Sequence, residues 1–191
     1  MNLAASPLST ALFLCIAVTA APPDGAAARA SAKFDLIDSG RAKRGSVIAF
    51  TESELNAWAR ERVPQHADGV RDARVTLGAG TATVSAQVDF IKLRAAAGHE
   101  TNAAIAKLLD GERPVRVSAR LDSADGRATV YLTRVEIGGV AITGSVLDFL
   151  VNTVFRPMFP EAHIDEPFAL RGNIERIEIQ DGGVRVAIRK R

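Results

Sequence analysis

The stretch Val135–Phe159, VEIGGVAITGSVLDFLVNTVFRPMF, decides how the rest of the chain is read. A strand-like run ends at Gly138-Gly139, a short extended piece follows, and a helix opens at Ser145, whose hydroxyl with Asp148 three residues on makes an N-cap pair. Arg156-Pro157 closes that helix, because proline disfavours a helical residue before it. At about 100° per residue, Val146, Leu147, Leu150, Val151, Val154 and Phe155 cover roughly half the circumference, and Asp148 and Asn152 share a narrow polar strip. A helix resting on one sheet needs an apolar stripe of only about 100°. The surplus calls for a second covering layer: a lipid or a partner. Four of the eight phenylalanines (Phe149, Phe155, Phe159, Phe168) lie in or just after this segment.

Outward from it, the period is two. Ala73, Val75 and Leu77 alternate with polar residues, Gly78-Ala79-Gly80 turns, and Ala82, Val84, Ala86, Val88 and Phe90 alternate back. At Phe90-Ile91 the apolar residues become adjacent, which predicts a bulge or strong twist. Val115, Val117, Ala119 and Leu121 form the next strand, Asp125-Gly126 its turn, and Ala128, Val130 and Leu132 the return. A third hairpin runs from Ile174 to Ile179, through Asp181-Gly182-Gly183, to Val184, Val186 and Ile188. Between the first two hairpins, Thr101–Leu109 reads as a short helix, and Pro160–Pro167 reads as an irregular connection. Before them, Val47-Ile48-Ala49-Phe50 leads into a helix opened by Thr51 and Glu54 as a capping box, with Phe50 stapled onto Leu55. Leu55, Trp58, Ala59 and Val63 share a face of that helix, which Pro64 ends; Trp58 reads as core, or more sharply as a ring lining a lipid cavity or sitting at a membrane interface. The fold class expected is α+β: a curved antiparallel sheet of about six strands, in three hairpins, wrapped around amphipathic helices.

The chain of 191 residues suits one domain, here 46–191. Residues 1–21 read as a secretory signal: the apolar run Ala11–Val18 precedes the small residues Thr19-Ala20-Ala21, although no Lys or Arg precedes it. The alternative is a retained anchor. Residues 22–45 read as a flexible leader, because Pro22–Ala32 is rich in Ala, Pro and Gly. The single cysteine, Cys15, falls inside the signal, which leaves the remainder without disulfide, thiol nucleophile or cysteine metal ligand. The expected location is secreted or periplasmic, in a bacterial cell envelope.

With 24 basic and 22 acidic side chains the protein is nearly neutral, with a basic end at Arg185, Arg189, Lys190 and Arg191. No basic stripe with interleaved aromatics speaks for nucleic acid. A few bases beside apolar surface suit anionic headgroups, and a solvated terminus explains them equally. His66, His99 and His163 are scattered; His163, Asp165 and Glu166 have the composition of a metal site but lack further ligands. Gly144-Ser145-Val146 lacks the second glycine of a nucleophile elbow, and no phosphate-cradling glycine pattern occurs. The sequence thus offers no catalytic residue, cofactor or metal, and the expected reading is not an enzyme.

The strings FTESELN, VYLTRVEIGGVAI, SVLDFLVNTV and IERIEIQDGGVRV, in that order, resemble the small bacterial envelope lipid-binding proteins with a tubular lipid-binding (TULIP-like) half-barrel, including the lipomannan-elongation-protein-like domains. The likeness covers Val47 to Lys190 and rests on pattern; the Pro160–Pro167 loop has no counterpart in it. It implies a sheet rolled around apolar helices and a groove for acyl chains, without catalysis. The partner expected is a lipid or another apolar small molecule, with peripheral membrane contact as an accessory. The lining would be Leu147, Leu150, Val151, Val154, Phe155 and Phe159, joined by Leu55, Trp58 and Phe90. The rival expectation is a structural protein whose apolar helix face binds a partner subunit.

Overall fold

The computed structural model describes residues 23–66, 69–92, 110–152 and 164–190. In order, the elements are α1 (Pro23–Asp38), β1 (Val47–Thr51), α2 (Glu52–His66), β2 (Val70–Gly78), β3 (Thr81–Asp89), β4 (Glu112–Ala124), β5 (Arg127–Ile137), β6 (Val140–Ala141), α3 (Ser145–Leu150), β7 (Phe168–Ala169), β8 (Ile174–Gln180) and β9 (Gly183–Ile188). The fold class is α+β, and all strand pairings between these elements are antiparallel. The three hairpins expected from the alternation are β2–β3, β4–β5 and β8–β9. They do not share one sheet. A six-stranded sheet runs β2-β3-β4-β5-β6 with β7 on β5, and a three-stranded sheet runs β1-β9-β8. The four-residue run ahead of α2, read only as a lead-in, is the strand that gives the third hairpin its own sheet.

Turn chemistry explains the hairpins. Asp125 and Gly126 both hold positive φ (51° and 75°), as a two-residue type I′ turn requires. Two irregularities bend the larger sheet: one between Arg71 and Arg74, where Asp72 takes φ 55°, and one opposite Ser118-Ala119, where Thr133 is the extra residue. The strand does not continue through Phe90-Ile91, where a bulge or strong twist is expected. Instead β3 ends at Asp89, whose carboxylate accepts the N–H groups of Ile91 (3.0 Å) and Lys92 (3.2 Å) and opens a helical turn.

Residues 23–38 correct the expected leader. Alanine is the best helix former and proline suits a first helical position, so the Ala-rich composition makes α1 rather than a flexible tail. Ala27, Ala30, Phe34 and Ile37 recur at helical spacing; Ala27 and Ala30 are about fully buried (1% and 0% exposed), and their small side chains let α1 lie close to α2. The capping box at α2 is reciprocal: Thr51 N–H donates to Glu54 Oε2 (3.0 Å) and Glu54 N–H to Thr51 Oγ1 (3.2 Å). Pro64 does not end α2 but sits in its last turn, which closes at His66.

The apolar side chains form two clusters. One, between the small sheet and α1–α2, holds Ala30, Ile37, Phe50, Val186 and Ile188 with Phe34, Leu55 and Trp58. The other, on the inner face of the large sheet under α3, holds Val88, Phe90, Val135, Ile137 and Ile142 with Val146 and Leu147. The sheets meet where β8 crosses the hairpin tips of the larger one. Gly80 N–H bonds to Ile179 O (2.9 Å), Gly126 N–H to Glu175 O (2.7 Å), and Ser123 Oγ both accepts from Ile177 N–H (2.7 Å) and donates to Ile177 O (2.6 Å).

Candidate functional site

Residues directly opposite across strands share a face. The pairs Val75↔Val84, Val84↔Val117 and Val117↔Val135 therefore line one row, and Ala82↔Ala119 with Ala119↔Leu132 the next. Val117, Leu132 and Val135 belong to the inner cluster, which identifies this as the inner face. Val84 has strands on both sides, yet 44% of it is exposed. Its row neighbours Val75 and Val117, and Ala119, Leu121, Val130 and Leu132 beyond, are only half-buried. Among the described residues these side chains make a partly exposed apolar strip of the inner face, here called the trough, between the Phe90–Ile137–Ile142 cluster and the β8 crossing.

The opposite face of the same sheet is polar. Arg116 and Arg134 converge on Glu136 (3.5 and 2.7 Å), Arg120 pairs with Asp122 (2.8 Å) and lies over the Tyr131 ring (4.4 Å), and Arg71 bridges Asp72 and Glu112. These exposed pairs contribute little to stability and mark a solvated face. A depression of about 330 Å³ is bounded by Asp72, Ser85, Gln87, Arg116 and Glu136 of that face together with Ala86, Pro114, Val115 and Gly139. Ser85 has no histidine partner among the described residues, and no three His, Cys, Asp or Glu side chains among them converge as a metal site.

The nine side chains expected to line one cleft do not meet in one place. Leu55 and Trp58 pack under the small sheet, Trp58 against Phe34 with ring centres 4.8 Å apart. Phe90 and Leu147 sit in the other cluster, on the large sheet. Val151 is half-buried just beyond α3, and Leu150 ends that helix. Val154, Phe155 and Phe159 lie outside the described residues, as do the expected helix 101–109 and His163. The reason for the split is topological: α2 follows β1 directly and turns Leu55 and Trp58 to the small-sheet core while its other side runs along β2, whereas α3 follows β6 and puts Val146 and Leu147 on the large-sheet core. The α3 start also differs from expectation. Its cap residue is Gly144 at φ 60°, with no side-chain cap, and Asp148 N–H bonds back to Gly144 O (3.0 Å). The trough residues Val84, Val117, Ala119 and Leu132 were visible as alternating positions, but alternation gives a face and not how well that face is covered.

Polar groups fix the trough's border strand. β2 is an edge strand, and α2 pairs its exposed backbone: Asn56 Nδ2 donates to Val75 O (2.8 Å), Asn56 Oδ1 accepts from Val75 N–H (2.7 Å), and Glu52 Oε2 accepts from Leu77 N–H (2.8 Å). The carboxylate of Glu54 is buried between α1 and α2, taking Lys33 Nζ (2.6 Å), Arg29 Nε (3.2 Å) and Thr51 N–H. Burial pushes this carboxyl up, but the Lys33 hydrogen bond, the Thr51 amide, the charge of Lys33 and the Arg29 bond outweigh it and hold it below its ordinary 4.5.

Compared with known proteins, the chain matches no protein-family model and no curated protein. Among the described residues no helix is long and apolar enough to cross a membrane.

Proposed function

We propose that this chain is a non-catalytic envelope protein that holds a lipid, or another apolar molecule, along the inner face of its six-stranded sheet. The observation that carries the reading is Val84: an inward residue of a doubly paired strand with nearly half its surface open, in a row of valines with alanine and leucine beside it. An acyl chain laid along that row removes apolar area from water at about 0.8 kcal/mol per methylene. Ten methylenes give on the order of 8 kcal/mol gross, and the ordering cost of the ligand is subtracted from that, so longer chains should bind measurably tighter. The apolar N-terminal run and the TULIP-like resemblance support an envelope location and the same ligand class.

The test is native mass spectrometry and lipid extraction of the purified chain, with titration of a fluorescent fatty acid. Val84→Asp places a charge in the trough and should weaken probe binding about tenfold or more. Because more than half of Val84 is buried, the variant's thermal midpoint and circular dichroism are compared with wild type at the temperature of the titration. Recovery of no lipid together with no probe binding by the wild type refutes the proposal. A second reading, an interaction protein, is favoured by Val140, 55% exposed on the two-residue edge strand β6, and would show instead as a stable dimer or complex in sedimentation.

A further inference from the structure

The small sheet has an outward face that the ligand trough does not use. Ile48, Phe50 and Val186 point into the core under α1 and α2, so Val47, Ala49, Arg185 and Ala187, which alternate with them, lie on the other side. Register sets Val47 opposite Ala187 and Ala49 opposite Arg185. Val47 is 48% exposed, Ala49 and Arg185 are exposed, and a shallow depression of about 370 Å³ lies between them.

Past the end of β9 the backbone brings a basic turn, Lys43-Arg44, next to Lys190. Gly45 N–H bonds to Ile188 O (3.1 Å) and Arg189 O (3.2 Å), and Ser46 N–H to Lys43 O (3.0 Å), which holds the Lys43-Arg44 turn beside the end of β9. Lys190 Cγ lies 3.3 Å from where a side chain on Gly45 would start. Lys43, Arg44, Arg185 and Lys190 have no carboxylate partner among the described residues, whereas Arg116, Arg120, Arg134 and Arg176 are each held by one. The nearest acid in register with Arg185 is Glu178, and Arg176 already occupies it at 2.8 Å.

We propose that this outward face of β1 and β9, rimmed by Lys43, Arg44, Arg185 and Lys190, docks on an anionic bilayer surface. Charge complementarity selects the occupant: unpaired cations meet lipid phosphates, while Val47 and Ala49 between them reach the headgroup–acyl boundary. A nucleic acid would call for stacking aromatics among the bases, and this face has none among its described residues. The proposal is independent of the trough, because the two surfaces lie on different sheets.

The experiment is co-sedimentation of the full chain with phosphatidylcholine vesicles and with vesicles also containing phosphatidylglycerol. Excess partition onto the anionic vesicles is the readout, so any contribution of the apolar N-terminal run cancels. Each base near an anionic surface accounts for about fivefold in partition, so Lys43→Glu with Arg44→Glu and Lys190→Glu should lower the excess on the order of a hundredfold. High salt should abolish it. Lys43→Gln with Lys190→Gln provides the milder variant if the reversal disturbs folding by circular dichroism. Val84→Asp should leave the excess unchanged, which separates this surface from the trough. Equal partition onto both vesicle types, or retention of the excess by the charge variants, overturns the proposal. Capture by heparin without vesicle binding overturns it too, and assigns the cations to a soluble polyanion.

Discussion

Replacing Glu54 with alanine should release α1. The carboxylate is 4% exposed and joins three segments: Lys33 and Arg29 on α1, the Thr51 amide at the end of β1, and its own helix α2. Loss of its half of the capping box costs about 1 kcal/mol. The short, part-buried bond from Lys33 adds about 1.5–3 kcal/mol as a charge-assisted contact. Arg29 is more than half exposed, so screening leaves its share small. The expected loss is on the order of 3 kcal/mol, and Glu54→Gln, which keeps an acceptor for the amide, should lose about half of that. Trp58, the only tryptophan, packs against Phe34 of α1, so its emission reports the docking directly. Urea unfolding followed by that emission measures both quantities. Because the folded-state carboxyl lies below its ordinary 4.5, the stabilisation is complete above that pH and disappears as the pH falls through the folded value; the difference between wild type and Glu54→Gln should shrink over that range. If Glu54→Ala costs less than about 0.5 kcal/mol and leaves Trp58 emission unshifted, the reasoning about α1 is wrong.

Other changes test other joints. Asn56→Ala removes both bonds to Val75 and should cost about 2 kcal/mol, with faster hydrogen exchange at the Val75 amide. Ile137→Ala, at the most enclosed large side chain (1% exposed), should cost about 3 kcal/mol in chemical denaturation. Gly126→Ala meets a positive φ of 75° and the Arg189 guanidinium; that side chain can swing away, so the backbone sets a cost of about 1–2 kcal/mol, read as a lowered thermal midpoint.

Much of the local architecture was legible. Period-two alternation located the three hairpins, Gly78-Ala79-Gly80, Asp125-Gly126 and Asp181-Gly182-Gly183 their turns, and Thr51 with Glu54 the start of α2. The failures were also local in origin. Residues 23–38 have the Ala, Pro and Gly composition of a linker, which hides alanine's helix propensity, and the cap expected at Ser145 falls to Gly144, without a side chain. Phe90-Ile91 gave no sign from periodicity that Asp89 would stop the strand by capping a helical turn. The candidate site was less legible, since its nine expected side chains were grouped by hydrophobicity and sequence position.

Sequence alone settled the class of each segment and which side chains share a face, because both follow from backbone geometry repeating every two or 3.6 residues. Only the tertiary structure decided which faces meet: that the β8–β9 hairpin pairs with β1, that the apolar sides of α2 and α3 enter different cores, and that Val84 keeps 44% of its surface exposed. The physical reason is that burial is non-directional. Any apolar face can cover any other, and the choice falls to strand pairing between residues as far apart as Phe50 and Val184 and to bonds such as those of the Ser123 hydroxyl with the Ile177 backbone, which no local pattern records.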